Sequence, residues 1–361
     1  MDDTTTLSYW LNWRFFLCAL WVLISVIAAA TLIAKYEVVN KRRSKQQDDE
    51  LDFEPIGILY LDEMWRTSFK SVHPVWLLAY RLIAFAVLLA ILSINLAISG
   101  AGVLFYYTQW TFVLVTFYFG LASSLSIYGC YQYWKKADDN NINHVGIDAK
   151  RAASAAPLIE ESLVPQHMPM KSNNIGEIHA HKKAGKWAYF CQIVFQICAG
   201  AVGLTDSVFW FIIYPFLTPA TYKLTYLNIS LHSVNMIFLL IDVILNRLRF
   251  PFFRIAYFVL WTCIFVIFQW ILHACVSIRW PYIFLDLSSP YAPIWYLGVG
   301  LILLPAFGIF ALIVKSEPPS LCSSKTPPWI DLDDFLSERD PSKFAMDGDA
   351  ASVGDIFGGI W

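Results

Sequence analysis

Seven long, uninterrupted apolar blocks constrain this chain more than any other feature. They run from about Phe15 to Ala34, Val75 to Ser99, Gly102 to Tyr131, Trp187 to Tyr214, Leu227 to Leu245, Ile255 to Ile278 and Ile294 to Val314. Crossing the hydrocarbon core of a bilayer as a helix takes about 20 residues at a rise of about 1.5 Å each. Lipid offers no partner to backbone N–H and C=O groups, so a spanning segment must satisfy them internally. The blocks are too long for strands and lack the polar alternation of a membrane barrel. The expected fold class is therefore all-α, a polytopic membrane protein with seven transmembrane helices.

Composition closes the other routes. The 361 residues are 57% hydrophobic and only 15% charged, whereas a soluble domain averages about 45–50% apolar and about 25% charged. Disorder, a collagen-like repeat and a disulfide scaffold are excluded as descriptions of the chain. The net charge of −2 and the lack of a basic stripe with interleaved aromatics exclude a nucleic-acid partner. The seven cysteines show no metal-ligand spacing and their number is odd, which argues against a disulfide framework or a zinc site. With no Walker loop or dinucleotide fingerprint either, neither a cofactor nor a metal is expected.

Lys and Arg placement orients the bundle, because cytoplasmic connections carry the excess. Of the 26 basic residues, 22 lie on the 1–2, 3–4 and 5–6 connections and the C-terminal tail; Arg14, Lys223 and Arg279 lie opposite, and Arg81 lies within the second block. The N-terminus is expected outside and the C-terminus in the cytoplasm, in a membrane of the secretory pathway (plasma membrane or endoplasmic reticulum). The N-terminus lacks the basic start of a cleaved signal, so the first block reads as a retained span. Residues 1–14 form a short outer tail. Spans 1–3 occupy 15–131, with a cytoplasmic loop at 35–74. The polar stretch 132–186 is expected to be a disordered cytoplasmic loop. Spans 4–7 occupy 187–314. Residues 315–361 form an acidic tail that could dock a cytoplasmic protein partner.

Polar residues inside spans are costly and so point to function. At 100° per residue, Asn228, His232, Asn235 and Asp242 share one arc of the fifth helix. Interhelical hydrogen bonding accounts for asparagines there, but an imidazole also exchanges protons near neutral pH. Counting from block ends, Thr108, Asp206, His232 and His273 fall in one layer below the outer surface. A hydroxyl, two imidazoles and a carboxylate are the groups that ester or amide hydrolysis needs. Thr111 is as good a nucleophile as Thr108 on chemistry alone. Either threonine can instead bond its own preceding turn. Arg81 and Asp242 lie toward the inner end and read as a structural ion pair.

Tyr106-Tyr107-Thr108 followed by Tyr118-Phe119-Gly120 resembles the threonine-bearing helix of the androgen-induced/FAR-17a family, membrane hydrolases of fatty acid esters of hydroxy fatty acids. Asn228 to His232 with Leu240-Ile241-Asp242 is similar to that family's histidine helix. Phe209 to Tyr214, and Trp270 to His273 with Trp280, Tyr282 and Asp286, resemble two further helices. His73-Pro74-Val75-Trp76-Leu77-Leu78 with Tyr80-Arg81 resembles the hallmark of rolling stone-like proteins, associated with muscle cell fusion. The resemblance implies Thr108 as nucleophile and His232 as base, and so separates Thr108 from Thr111. Ser233 departs from it, standing where the family has threonine, and the chain has an additional helix.

Two functions follow as expectations. The first is a threonine-type intramembrane hydrolase acting on a lipid ester. Thr108 and His232 would be catalytic, Asp206 or His273 would orient the imidazole or line the pocket, and Tyr107, Asn228 and Asn235 are oxyanion donor candidates. The second is a non-catalytic membrane organiser or receptor-like scaffold in adhesion, fusion or trafficking. A G-protein-coupled receptor shares the topology, but the chain lacks Asp-Arg-Tyr at the inner end of span 3 and Asn-Pro-x-x-Tyr in span 7. A transporter is disfavoured because neither repeats nor midplane half-helices are evident.

Overall fold

In the computed structural model, residues 3–39, 59, 61–67, 72–154, 184–219, 221, 223–246, 248 and 250–315 are described. Seven helices are long and apolar enough to cross a membrane: Trp13–Glu37, Pro74–Ser99, Tyr107–Lys135, Lys186–Leu217, Tyr226–Leu245, Phe252–Cys275 and Ala292–Lys315. They are spans 1 to 7 below. The described residues contain no β-strand. The face carrying the 2–3, 4–5 and 6–7 connections is the one expected outside, and is called the outer face. The expected tail (316–361) and most of the expected loops (40–58 and 155–183) lie outside the described residues.

Helix starts are written locally. Asn12 accepts the Phe15 N–H at span 1, His73 accepts the Val75 N–H ahead of Pro74 at span 2, and Thr225 accepts the Asn228 N–H at span 5. These are N-caps, which satisfy otherwise orphaned donors. Span 2 ends at Gly100, whose φ of 73° lies in the left-handed region that glycine tolerates. The third helix does not stop at the membrane. It continues to Ser154, through residues 132–154 where the sequence reads as loop. A span supplies the nucleus, and extension then costs far less than starting a helix.

Span 4 is the core of the bundle, buried without interruption from Cys198 to Asp206. Small side chains allow its neighbours to approach closely, as is usual between membrane helices. A Cβ at Gly203 would lie 2.9 Å from the Ala306 carbonyl oxygen of span 7, and one at Gly200 would lie 2.6 Å from the Phe258 ring of span 6. Span 4 is α-helical to Val208 and then widens into a π-helix, Phe209–Leu217, that contains Pro215.

Span 5 is broken. It consists of Tyr226–Leu231 and Val234–Leu245, with His232 and Ser233 between them outside helical geometry. The uniform 100° stripe expected through Asn228, His232, Asn235 and Asp242 is therefore interrupted. No Pro or Gly causes the break. The Trp210 indole N–H bonds the His232 carbonyl at 2.8 Å, and such a side-chain partner is what lets a membrane helix leave its ladder.

Two buried polar assemblies fasten the inner half. Arg81 of span 2 pairs with Asp242 of span 5, and donates to the Met64 carbonyl and the Ser126 hydroxyl, both at 2.7–2.8 Å. Asp242 also accepts from Tyr118 of span 3. Arg254, at the start of span 6, pairs with Glu37 at 2.9 Å and bonds Gln192 of span 4. Residues 59 and 61–67 of the 1–2 connection wedge beneath the bundle. Leu59 and Met64 are buried, the Leu59 N–H bonds the Tyr189 hydroxyl, and Met64 O also accepts from Asn246.

Candidate functional site in the outer half of the bundle

The break in span 5 places a histidine against the π-widened part of span 4. The imidazole of His232 stacks on Phe209, ring centroids 3.7 Å apart and planes 2° from parallel. Its Nδ1 faces Asp206 Oδ1 at 3.9 Å. That separation is too long for a hydrogen bond. Accordingly, His232 Nδ1 and Asp206 Oδ2 are buried without hydrogen-bond partners. Asp206 Oδ1 accepts from Thr205 at 3.3 Å. Asn235, fully buried one turn inward of His232, lies close enough to act on the Asp206 charge. Burying a carboxylate and an imidazole together is expensive, and leaving His232 Nδ1 and Asp206 Oδ2 unbonded is more so. Such a pair is poised to accept a bonding partner.

Thr108 sits in the first turn of span 3, because an α-helix begins only at Tyr107, after the short 3-10 helix Ala101–Phe105. Counting depth from Gly102 therefore misplaces it. A better ruler is the hydrogen bond from the Tyr118 hydroxyl to Asp242 Oδ2, 2.5 Å, which registers spans 3 and 5. Thr108 and His232 each lie ten residues toward the outer face from their member of that bond. Thr108 also shares a helix face with Phe119, eleven residues on, whose ring packs on Phe238 of span 5.

The Thr108 hydroxyl nonetheless bonds Tyr282, at 3.5 Å, and makes no hydrogen bond to His232. Tyr282 comes from the 6–7 connection, where burial raises its phenol above the usual range. The other expected site residues are spread around this region. The Tyr107 hydroxyl is committed to Thr262 of span 6 at 3.0 Å. His273 does not join His232: it stacks on Trp280 at 3.7 Å, and its Nδ1 meets the Gln269 carbonyl. Its Nε2 is buried and unbonded. Asn228 is half-buried at the outer end of span 5, where its carbonyl receives the His232 N–H. Thr111 is fully buried on span 3.

Sequence reasoning missed three contributors. Phe209 and Trp210 hold the broken turn, and Tyr282 holds Thr108. All three lie within stretches that carry the family resemblance, but aromatic residues are so abundant in these spans that pattern alone does not single them out. Among the described residues, no three His, Cys, Asp or Glu side chains come together as a metal-ligand group. A cavity of about 50 Å³ lies between spans 1, 6 and 7, against Trp21, Ser25, Thr262, Tyr296 and Gly300. Thr262 thus connects that cavity to Tyr107, the residue beside Thr108.

No family model matches the chain, and neither does a curated protein or a solved structure.

Proposed function

We propose that this multi-pass membrane protein hydrolyses lipid esters in the outer half of the bilayer, with Thr108 as nucleophile, His232 as base and Asp206 as the group that orients it. The observation that carries the reading is the register of spans 3 and 5, with Thr108 and His232 equidistant from the Tyr118–Asp242 bond. The unbonded His232–Asp206 pair adds a base with its orienting carboxylate. The motif resemblance to fatty acid ester hydrolases names the same threonine and histidine.

With Nδ1 toward Asp206, His232 presents Nε2 to the substrate side. Thr108 Oγ attacks the ester carbonyl carbon, and its proton passes to His232. The carbonyl π pair moves onto oxygen. Collapse expels the alcohol, protonated by His232, and leaves an acyl-threonine that water hydrolyses by the reverse sequence. The Thr108–Tyr282 bond is at the long limit of hydrogen bonding and opens as substrate arrives; such contacts commonly tighten toward the base only in the substrate complex. A membrane location in the secretory pathway, N-terminus outside, is supported by the basic-residue asymmetry.

The test is labelling of the purified protein with a serine/threonine-directed fluorophosphonate. Wild type should label, and Thr108→Ala and His232→Ala should not. Equal labelling of all three defeats the reading. No labelling of any favours the non-catalytic organiser.

A further inference from the structure

Acyl transfer develops negative charge on the carbonyl oxygen, and donors aimed there usually contribute the largest single share of catalysis. Two of the expected donors are engaged or displaced: Tyr107 bonds Thr262, and Asn228 lies a full turn outward of His232. Asn235 is different. It is fully buried, and its Oδ1 accepts the Met236 N–H at 3.0 Å. That bond fixes which edge of the amide is oxygen and leaves the NH₂ edge facing away. Nδ2 meets no acceptor at good hydrogen-bond geometry; the one side chain it approaches for a hydrogen bond is Asp206, which takes at most one of its two N–H groups. An amide NH₂ carries two donors, so proximity to one carboxylate does not exhaust it.

The break supplies a second donor. Ser233 falls outside both half-helices, and its N–H makes no hydrogen bond in the structure. A buried amide N–H and a backbone N–H, two residues apart, are thus left without acceptors on either side of the inner flank of His232. The fully buried Asn235 donor, left unmet, costs about 1–3 kcal/mol, while the Ser233 N–H is half-buried. An ester carbonyl oxygen is an acceptor only and answers this deficit. The inner half-helix, Val234–Leu245, also directs its positive end at the break.

We infer that the break in span 5 is the carbonyl-binding element of the site, with the Asn235 amide and the Ser233 N–H receiving the ester oxygen and the charge that builds on it. This rests on the hydrolase reading for its catalytic consequence. As a binding site for an ester carbonyl it stands independently.

The experiment uses the full chain in detergent micelles, in a Thr108→Ala background so that ester persists. The probe is glycerol mono-oleate carrying ¹³C at the carbonyl, read by isotope-edited infrared difference spectroscopy. Bound ester should show its carbonyl band at lower frequency than in micelles alone. Asn235→Leu should return the band to its micelle position, and Asn235→Ser, a shorter donor, should leave it between the two. Should Asn235→Leu fail to fold, the isosteric Asn235→Asp, which lacks the NH₂, must abolish the shift instead. In the Thr108-containing protein, Asn235→Leu should slow fluorophosphonate labelling by about 10²–10³-fold. An unshifted band in the Thr108→Ala protein, or a shift unaffected by the loss of the NH₂, overturns the inference. Unchanged labelling kinetics in Asn235→Leu overturn it while leaving the hydrolase intact. An Asn235-dependent shift in a protein that never labels sustains the carbonyl site and defeats the hydrolase.

Discussion

Arg81 and Asp242 meet edge to edge in the hydrocarbon region, Nε to Oδ1 at 2.8 Å and Nη2 to Oδ2 at 3.2 Å, with neither side chain exposed. The pair makes further hydrogen bonds to Met64, Ser126 and Tyr118. Removing one partner strands a charge in lipid. Arg81→Met or Asp242→Leu alone should each cost about 3–5 kcal/mol, whereas the double variant should recover a substantial part of the loss. Thermal unfolding in detergent measures this. Additive losses in the double variant would contradict a coupled pair.

Tyr118→Phe tests the register separately from the charge. The change removes a hydrogen bond to a carboxylate and should cost about 1.5–3 kcal/mol. Because the same bond sets the register of spans 3 and 5, which carry Thr108 and His232, fluorophosphonate labelling should fall more than in a control of equal stability loss elsewhere in the bundle. Equal labelling at equal stability would separate register from chemistry.

The inner wedge depends on a missing side chain. A Cβ at Gly129 of span 3 would lie 2.1 Å from Cγ of Trp65, so even Gly129→Ala forces the indole out, at a cost of about 1–3 kcal/mol. A cysteine substituted for the buried Leu59 should then react with maleimide faster in Gly129→Ala than in its parent. Unchanged reactivity would mean that the wedge does not rely on this contact.

The outer face predicts an alkaline limit. Tyr9 precedes span 1, and burial raises its phenol from 10.0 to about 12. Its hydroxyl donates to Asp286 at 3.3 Å and accepts from Trp280 at 3.1 Å. Between these two pKa values the unfolded chain has lost the proton and the folded chain retains it. Stability from this group is thus complete below pH 10 and lost as pH rises toward 12. The melting temperature should decline through that window, and Tyr9→Phe should flatten the decline while lowering the plateau. A decline of the same steepness in Tyr9→Phe would assign it to other groups.

Trp210→Phe should unsettle the broken turn by removing the N–H that holds the His232 carbonyl. An unpartnered carbonyl in lipid costs about 1–3 kcal/mol. The labelling rate should drop, while Trp261→Phe, in span 6, should leave it intact. Similar rates in both variants would relieve Trp210 of a role at the site.

The spans were readable because bilayer thickness and backbone satisfaction leave a chain almost no other option. Each apolar block lies within three residues of its helix end, except at the two ends of span 3. Arg81 and Asp242 announce themselves as rare charges at similar depth. The break at His232 and Ser233 did not, because it follows from a distant indole rather than from Pro or Gly. Arg254 and Glu37 read as ordinary loop charges near helix ends, and only the packing of spans 1, 4 and 6 makes them partners. Tyr282 reaches Thr108 across 174 positions, a separation on which local periodicity carries no information.

The ion pair at Arg81 also has a timetable. Its two members are separated by 161 positions, so span 2 leaves the ribosome long before Asp242 exists. During that interval a lone arginine stands inside an apolar span, off its centre, where insertion is penalised by less than the roughly 2.5–3.5 kcal/mol of a central arginine. The segment that first relieves it is the Met64 carbonyl, already synthesised and only 17 positions behind. A nascent chain truncated before span 5 should therefore hold span 2 insecurely, while one that reaches Leu245 should seat it. Assembly of this bundle is in that sense retroactive: the fifth helix completes the insertion of the second.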